Sequence, residues 1–349
     1  MNIRVLYNGD TYIEEIVQDV EWSGDVKQAY RTLNISLLNT LDGKTRVTNF
    51  EVGRELRFYS EGAEIFRGII FRSDVDHSGN MRLTAYDESV YLTKNTDTRK
   101  FSNVTASQIV RQLCTEFGVA VGTIADTNYV IPKLILRDMT LWNMITTALT
   151  VTRKQTGRRY FVYASGGRLN LAERRDRKAT YLLESTSNLQ TASYSQSIED
   201  LRNQVRVIGG KEEAPIIASA SNSVSAARYG TMQHLERADS EAKTAEIRQL
   251  ADQLLRDLNV IDDEASITAL GYNDTYAGVS VYVYDAMTGI TGNYYVSSDT
   301  HTYSNGMHTM SLTLSATDDL PTLEYVPPTE PEKKTKKVAE GDWKYWLNY

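Results

Sequence analysis

Cys114 is the one thiol in the chain and the first candidate for nucleophilic chemistry. A reactive cysteine needs a lowered pKa, which a helix N-terminus or a neighbouring cation supplies. Cys114 instead falls mid-way along a predicted helix beside its apolar stripe, and it reads as a buried structural thiol. The four histidines, His77, His234, His301 and His308, form neither an H-E-x-x-H nor an H-x-H pattern, and no second cysteine can complete a zinc site. His301 and His308 flank a predicted turn and can approach each other, but two ligands with no carboxylate beside them do not make a metal centre. Asp262-Asp263-Glu264 clusters at the end of a predicted helix leading into a strand. A calcium loop needs alternating ligands around a central glycine, and these are absent. The cluster reads as a solvated turn. A glycosidase pair of carboxylates need not be adjacent in the chain, and no residue pattern here favours one. There is no G-x-x-x-x-G-K loop and no G-x-G-x-x-G after a strand; Gly166-Gly167 reads as a hairpin turn. The residues therefore assign no catalytic group, no cofactor and no metal.

Two segments point to binding instead. Residues 153–178 hold nine basic and two acidic side chains, which suits either an acidic partner surface or a solvated face. Nucleic acid is disfavoured because the whole chain carries a net charge of -7 and a pI near 5.3. Near the C-terminus, Trp343, Tyr345, Trp346 and Tyr349 follow the basic run 333–337 and a proline-rich stretch. Aromatic rings in a short tail are unfavourable in water and carry interfaces, so these four residues are the candidate partner-binding site, docking on a partner or a neighbouring subunit.

The elements that must position these residues are mostly strands. In residues 1–95, Asn8-Gly9-Asp10 is a hairpin signal, since both central residues of a tight turn take positive φ. Leu33, Ile35 and Leu37 alternate with polar residues as a half-buried strand does. Leu56–Tyr59, Ala63–His77 and Met81–Asp87 follow, and the region reads as a closed or nearly closed antiparallel sheet. Residues 96–185 read as a small α+β module. Thr105 and Gln108 form a capping box before the apolar face Ile109, Leu113, Phe117; Thr140 caps a second helix; and strands flank Gly166-Gly167. Residues 186–320 return to strands, with a Ser/Ala-rich loop over 209–228 and a helix over about 239–258, where Ile247, Leu250, Ala251, Leu254 and Leu258 share a face. Residues 321–349 read as a proline-rich linker and aromatic tail. A faint echo links the β-regions: Gly68 precedes His77, and Gly292 precedes His301, by the same spacing, each before a polar turn and a Leu-Thr strand. The fold class is β-rich α+β, multidomain.

The first residues alternate polar and apolar side chains and lack the pattern of a signal peptide. No apolar run approaches the roughly 20 residues that cross a bilayer. Together with a single cysteine, this points to synthesis in a bacterial cytoplasm, with exit by lysis or a machine.

The order of these features resembles a known family. It runs from a β-domain, to a module opening Thr105-Ala106-Ser107-Gln108-Ile109-Val110-Arg111-Gln112-Leu113, to Leu201-Arg202-Asn203-Gln204-Val205-Arg206-Val207-Ile208-Gly209. Arg228-Tyr229-Gly230, a helix with Ala251-Asp252-Gln253-Leu254-Leu255, and Gly292-Asn293-Tyr294-Tyr295-Val296 complete it. Over residues 1–320 this is similar to the late control gene D family of baseplate hubs of contractile, phage-like tails, above all the stand-alone hubs of defective prophages and R-type bacteriocins. The resemblance implies two tail-tube-like antiparallel β-barrel or sandwich domains around the α+β module. It further implies a homotrimeric ring that looks six-fold to the tube. The partners it implies are a central spike protein, the tail tube or a tube-initiator protein, and other baseplate proteins such as the tape measure. Neither membrane nor specific nucleic acid belongs to that set. The particle would be a phage, a bacteriocin or an injection system, released by lysis. The sequence departs from fused hub–spike relatives in having no repetitive β-helix and no lysozyme segment. The chain is accordingly read as a structural assembly protein and not an enzyme. A tail-associated peptidoglycan hydrolase and a tandem β-domain adhesion module are the alternatives.

Overall fold

The computed structural model describes residues 2–211, 214–238, 242–317 and 320–325. Strands dominate, with α-helices confined among the described residues to 90–156 and 223–258, and the β-rich α+β class holds. The two β-regions do not close separately into barrels. Among the described residues their strands join in one thirteen-stranded sheet. The joint is the antiparallel pairing of Thr291–Ser304 with Val17–Asp25.

The same five-strand unit occurs twice in that sheet. In the first region the spatial order is Val17–Asp25, Thr32–Leu38, Asn80–Tyr86, Ala63–Val75, Glu55–Ser60, all antiparallel. In the second it is Leu189–Ser197, Asp262–Leu270, Met307–Ser315, Thr291–Ser304, Ser280–Tyr284, again antiparallel throughout. In each unit the first strand pairs the second, the second pairs the last, and the chain then steps back outward. Irregularities recur at matching places. The register shifts between Val17 and Asp19, and between Leu189 and Thr191. It shifts again between Ile70 and Arg72, and between Val296 and Ser298. Bulges of this kind re-aim a strand and are built features rather than defects.

Alternation makes the cores. Leu33, Ile35 and Leu37 are fully buried and pack with Val5, Phe58, Phe66 and Leu83. Tyr303, from the second unit, enters this first core with its ring 4.8 Å from Phe58. Ala265, Ile267 and Ala269 take the corresponding places in the second core. Gly68 has a physical reason: a Cβ there would meet the Tyr86 carbonyl oxygen at 2.2 Å.

Between the units, the helices form as their caps foretell. Ala106–Glu116 starts at a Thr105 capping box, in which the Gln108 N–H donates to Thr105 Oγ1 at 3.3 Å and the Thr105 N–H to Gln108 Oε1 at 2.8 Å. Leu141–Thr156 starts at Thr140, which accepts the Asn143 N–H at 3.1 Å. Both helices pack into the core that contains Leu113, Met144 and Leu169. The paired strands Thr96–Thr105 and Val130–Thr140 were not foreseen. Few of their positions are buried, Phe101 alone in the first and Ile131, Leu134 and Leu136 in the second, so the apolar alternation that marks a strand is broken.

The expected loop over 209–228 is instead a strand, Ala214–Ser221, followed by a helix, Ser223–Tyr229. The strand pairs Gln204–Lys211, which pairs Gln233–Arg237 in turn. Helix Thr244–Leu258 lies on this sheet through buried Ile247 and Ala251. Small residues are required beneath it: Ala218 and Ala220 are buried, and a Cβ on Gly209 would fall 2.7 Å from Ile247 Cδ1. The Ser/Ala composition that suggested a loop is the signature of a helix packed close. The helix expected from about 239 begins at Thr244, and residues 239–241 lie outside the described ones.

Candidate assembly surfaces

The candidate chemical residues are spread through the fold. Cys114 is buried in the core of the middle module, and desolvation pushes its thiol up to about 11. That is the state of an inert thiol. His77 is exposed in a turn, and His234 lies 3.1 Å from Glu236 on an edge strand. His301 and His308 do meet, with Nδ1 to Nε2 at 2.9 Å across their hairpin. Burial lowers His301 to about 4, and burial together with His301 lowers His308 to about 3, so the pair is neutral. Among the described residues no group of three metal-ligating side chains converges. Asp262-Asp263-Glu264 is not a turn. It opens strand Asp262–Leu270 and pairs with Ser195–Ser197.

The histidine pair belongs to a buried junction between the two units. Arg31 Nη1 donates to Asp299 Oδ1 at 2.9 Å, and Arg31 Nη2 to Asp299 Oδ2. The guanidinium lies 3.8 Å from the centre of the Trp22 ring, which in turn packs at 5.0 Å on His301. Asp299 also accepts the Ala277 N–H at 2.6 Å. Below Arg31, Asp87 accepts the Arg31 backbone N–H at 2.8 Å, and burial pushes it up to about 6. Its neighbour Glu88 is raised to about 7 by burial. None of this is visible locally, since Arg31 and Asp299 stand far apart in the chain.

The basic stretch 153–178 divides. Arg174 is buried against the Tyr295 ring, and Arg177 stacks 4.0 Å from the Tyr163 ring and donates to the Tyr276 hydroxyl. These two tie the middle module to the second unit. Arg175 pairs with Glu173 and Lys154 with Glu324. Neither a single partner surface nor a uniform solvated face describes them. The linker expected from Pro321 also starts differently. The Leu323 N–H donates to Thr150 Oγ1 at 3.0 Å, Tyr325 Oη accepts the Ile135 N–H at 3.1 Å, and Tyr325 packs on the middle core. Trp343, Tyr345, Trp346 and Tyr349 lie outside the described residues.

A family model described as YQBQ-like matches residues 20–315, which takes in all but the first three residues of the two five-strand units and everything between them. The chain belongs to the YQBQ-like family. This YQBQ-like chain is similar to the phage-like element PBSX protein XkdQ of Bacillus subtilis (strain 168), at 31% identity over 313 residues, 89% of this chain and 95% of that protein. Its fold is shared with the 43 kDa tail protein of prophage MuSo2 from Shewanella oneidensis, with a TM-score of 0.68 at 14% identity over 92% of this chain and all of that one. It is shared too with the E. coli c3393 protein, a component of the type VI secretion system described as structurally similar to the T4 bacteriophage tail proteins gp27 and gp5. There the TM-score is 0.54 at 9% identity, over 93% of this chain and 80% of that one. No described helix of the YQBQ-like chain is long and apolar enough to cross a membrane.

Proposed function

We propose that this YQBQ-like chain is a structural hub of a contractile tail baseplate, forming a trimeric ring that joins a three-fold central spike to a six-fold tail tube. The observation that carries the reading is the repeated five-strand unit, with the same strand order and matching bulges. Three copies of a two-unit chain present six similar units to one neighbour. They present only three copies of the middle module, the 204–258 insertion and the C-terminal tail to another. Closed symmetry of this kind converts one rotational order into the other without a second gene product. Kinship with a protein of a phage-like element, and a fold shared with tail proteins, support the same reading. The inert thiol and the neutral histidine pair fit a role in assembly better than in hydrolysis.

In this reading residues 1–95 and 186–320 are the two tube-like domains, 96–185 stand between them, and the chain is built into the tail of a phage or phage-like particle. The aromatic tip with Trp343, Tyr345, Trp346 and Tyr349 tethers the spike or another baseplate protein. Light scattering over a concentration series, alone and after co-expression with the spike protein, tests the ring. Three times 39.4 kDa, about 118 kDa by closed three-fold association, is the expected mass. A monomer under both conditions refutes the proposal.

A further inference from the structure

The duplication leaves two strand edges open, and the internal joint shows what each fits. Both long strands change partner at one residue. Ile69 pairs Glu55 on one side and Tyr86 on the other, and Tyr295 pairs Ser280 and Ser315. With the bulges that follow, Arg72, Ser73, Asp74 and Val75 occupy the places of Ser298, Asp299, Thr300 and His301. The bulge near the start of the other strand sets Trp22 equivalent to Tyr194, and Asp25 to Ser197.

Inside the chain, Ser298–Ser304 is covered by Val17–Asp25, with Ser298 opposite Asp25 and His301 opposite Trp22. The equivalent stretch from Arg72 to Val75 has no strand on that side among the described residues. Leu189–Ser197, the equivalent of Val17–Asp25, ends the sheet. Exposure follows. His301 is 0% and Trp22 4% exposed, whereas Val75 is 40% and Tyr194 43% exposed. Leu189–Ser197 carries no charge and no proline over its whole length, and Thr191, Ser193, Ser195 and Gln196 are exposed along it. Soluble proteins blunt a free edge with lysine, proline or a cover. This edge has none of these among the described residues, which is the condition of a strand built to be paired.

We infer that Leu189–Ser197 of one copy pairs antiparallel with the Arg72–Val75 edge of the next copy of this chain. The register repeats the internal joint: Arg72 opposite Ser197, Ser73 opposite Gln196, Asp74 opposite Ser195 and Val75 opposite Tyr194. The contact buries the two exposed apolar side chains against each other as a cross-strand pair. Each copy offers one edge of each kind, so the association is head-to-tail and the sheet runs on from chain to chain. The number of copies that closes the ring rests on the hub reading; the pairing itself rests on the edges.

Cysteines in the full chain test it. Facing residues of an antiparallel pair have Cα atoms about 4.5–5.5 Å apart, within disulfide range. Under mild oxidation, quenched with an alkylating reagent before denaturation, Val75→Cys/Tyr194→Cys should give covalent oligomers. Either single variant, and the displaced pair Val75→Cys/Gln196→Cys, should give at least tenfold less. A closed oligomer by light scattering that does not cross-link at 75 and 194, or cross-links equally at 75 and 196, overturns the pairing and leaves the ring standing. A monomer both alone and with the spike overturns both. Charge provides a second measurement. Val75→Lys alone should reduce the mass toward that of one chain with the unfolding temperature unchanged, and adding Tyr194→Glu should restore it. An oligomer indifferent to Val75→Lys also overturns the pairing.

Discussion

Asp299→Asn asks whether the joint between the two units depends on a buried charge pair. The Asp299 side chain is 0% and that of Arg31 13% exposed, and two hydrogen bonds join them. Asparagine keeps the shape and can still accept the Ala277 N–H, but it takes from the guanidinium beneath Trp22 the carboxylate that it bonds through two nitrogens. Breaking a buried pair by removing one partner costs about 3–5 kcal/mol, whereas an exposed pair contributes under about 1. The two cases are therefore separable by equilibrium urea unfolding followed by tryptophan fluorescence, with Trp22 reporting from the site itself. The midpoint should fall by roughly 1 M or more, given denaturant slopes of a few kcal/mol/M. Arg31→Met removes the stranded charge, so Arg31→Met/Asp299→Asn should be less destabilised than the sum of the single variants by at least about 2 kcal/mol. A loss below about 1 kcal/mol in Asp299→Asn, or strict additivity, would refute the claim that this pair holds the units together.

The histidine pair gives a pH dependence. His301 and His308 are neutral in the fold, with pKa values near 4 and 3 against an ordinary 6.5. Their contribution to stability is complete above about 6.5 and is lost as pH falls through the folded values, because the unfolded chain binds the protons first. Asp87 and Glu88, raised to about 6 and 7, act in the opposite sense as the pH falls, so the comparison is between variants. From pH 6.5 to 4 the wild type should lose stability relative to His308→Gln, and parallel stability curves would count against the burial argument. Cys114 should react with a chromogenic disulfide reagent only as the chain unfolds, at the unfolding rate; rapid labelling of the native protein would contradict its buried state. Thr105→Ala should destabilise by about 1 kcal/mol in chemical denaturation through loss of the capping box, and no change would mean the box is not needed. On the proposed tethering role, truncation after Tyr325 should leave the melting temperature of the protein unchanged and abolish co-purification with the spike or baseplate protein. Retained co-purification would remove the tethering role of Trp343, Tyr345, Trp346 and Tyr349.

What could be read from the sequence was what is local. Thr105 and Gln108 bond each other across one helical turn, and Asn8 and Gly9 both take positive φ in the first hairpin. Strands with one apolar face, such as Thr32–Leu38, were plain for the same reason. Leu189–Ser197 was not, because neither of its faces is consistently apolar. The echo between the β-regions was half right. The hairpins it named do occupy equivalent places, but the partner switches at Ile69 and Tyr295 make Gly68 equivalent to Tyr294 and not to Gly292. Register is recorded in hydrogen bonds between strands, and side chains on the two copies have diverged past recognition. The Arg31–Asp299 junction leaves no local trace either, since its partners stand at opposite ends of the chain.

That divergence has a physical direction. At the internal joint, the shared positions hold buried Trp22, Asp299 and His301 and the mostly buried Arg31. At the free edges the same positions hold Tyr194, Asp263, Ser73 and Val75, and Tyr194 donates to Asp263 at 2.9 Å as Trp22 lies against Arg31. A joint within one chain forms once, during folding, and a buried ion pair there never has to be hydrated again. An edge awaiting another copy is hydrated first, and any charge on it must be stripped of water when the partner arrives, at several kcal/mol per ion. On Leu189–Ser197, uncharged Ser, Thr, Gln and Tyr avoid that penalty while keeping the backbone ladder available, and the facing edge holds its own charges paired with each other, Arg72 with Asp74. For this strand, the chemistry that separates it from Val17–Asp25 is thus what the difference between folding and assembly demands. It accounts for an edge strand, Leu189–Ser197, without charge in a chain of net charge -7.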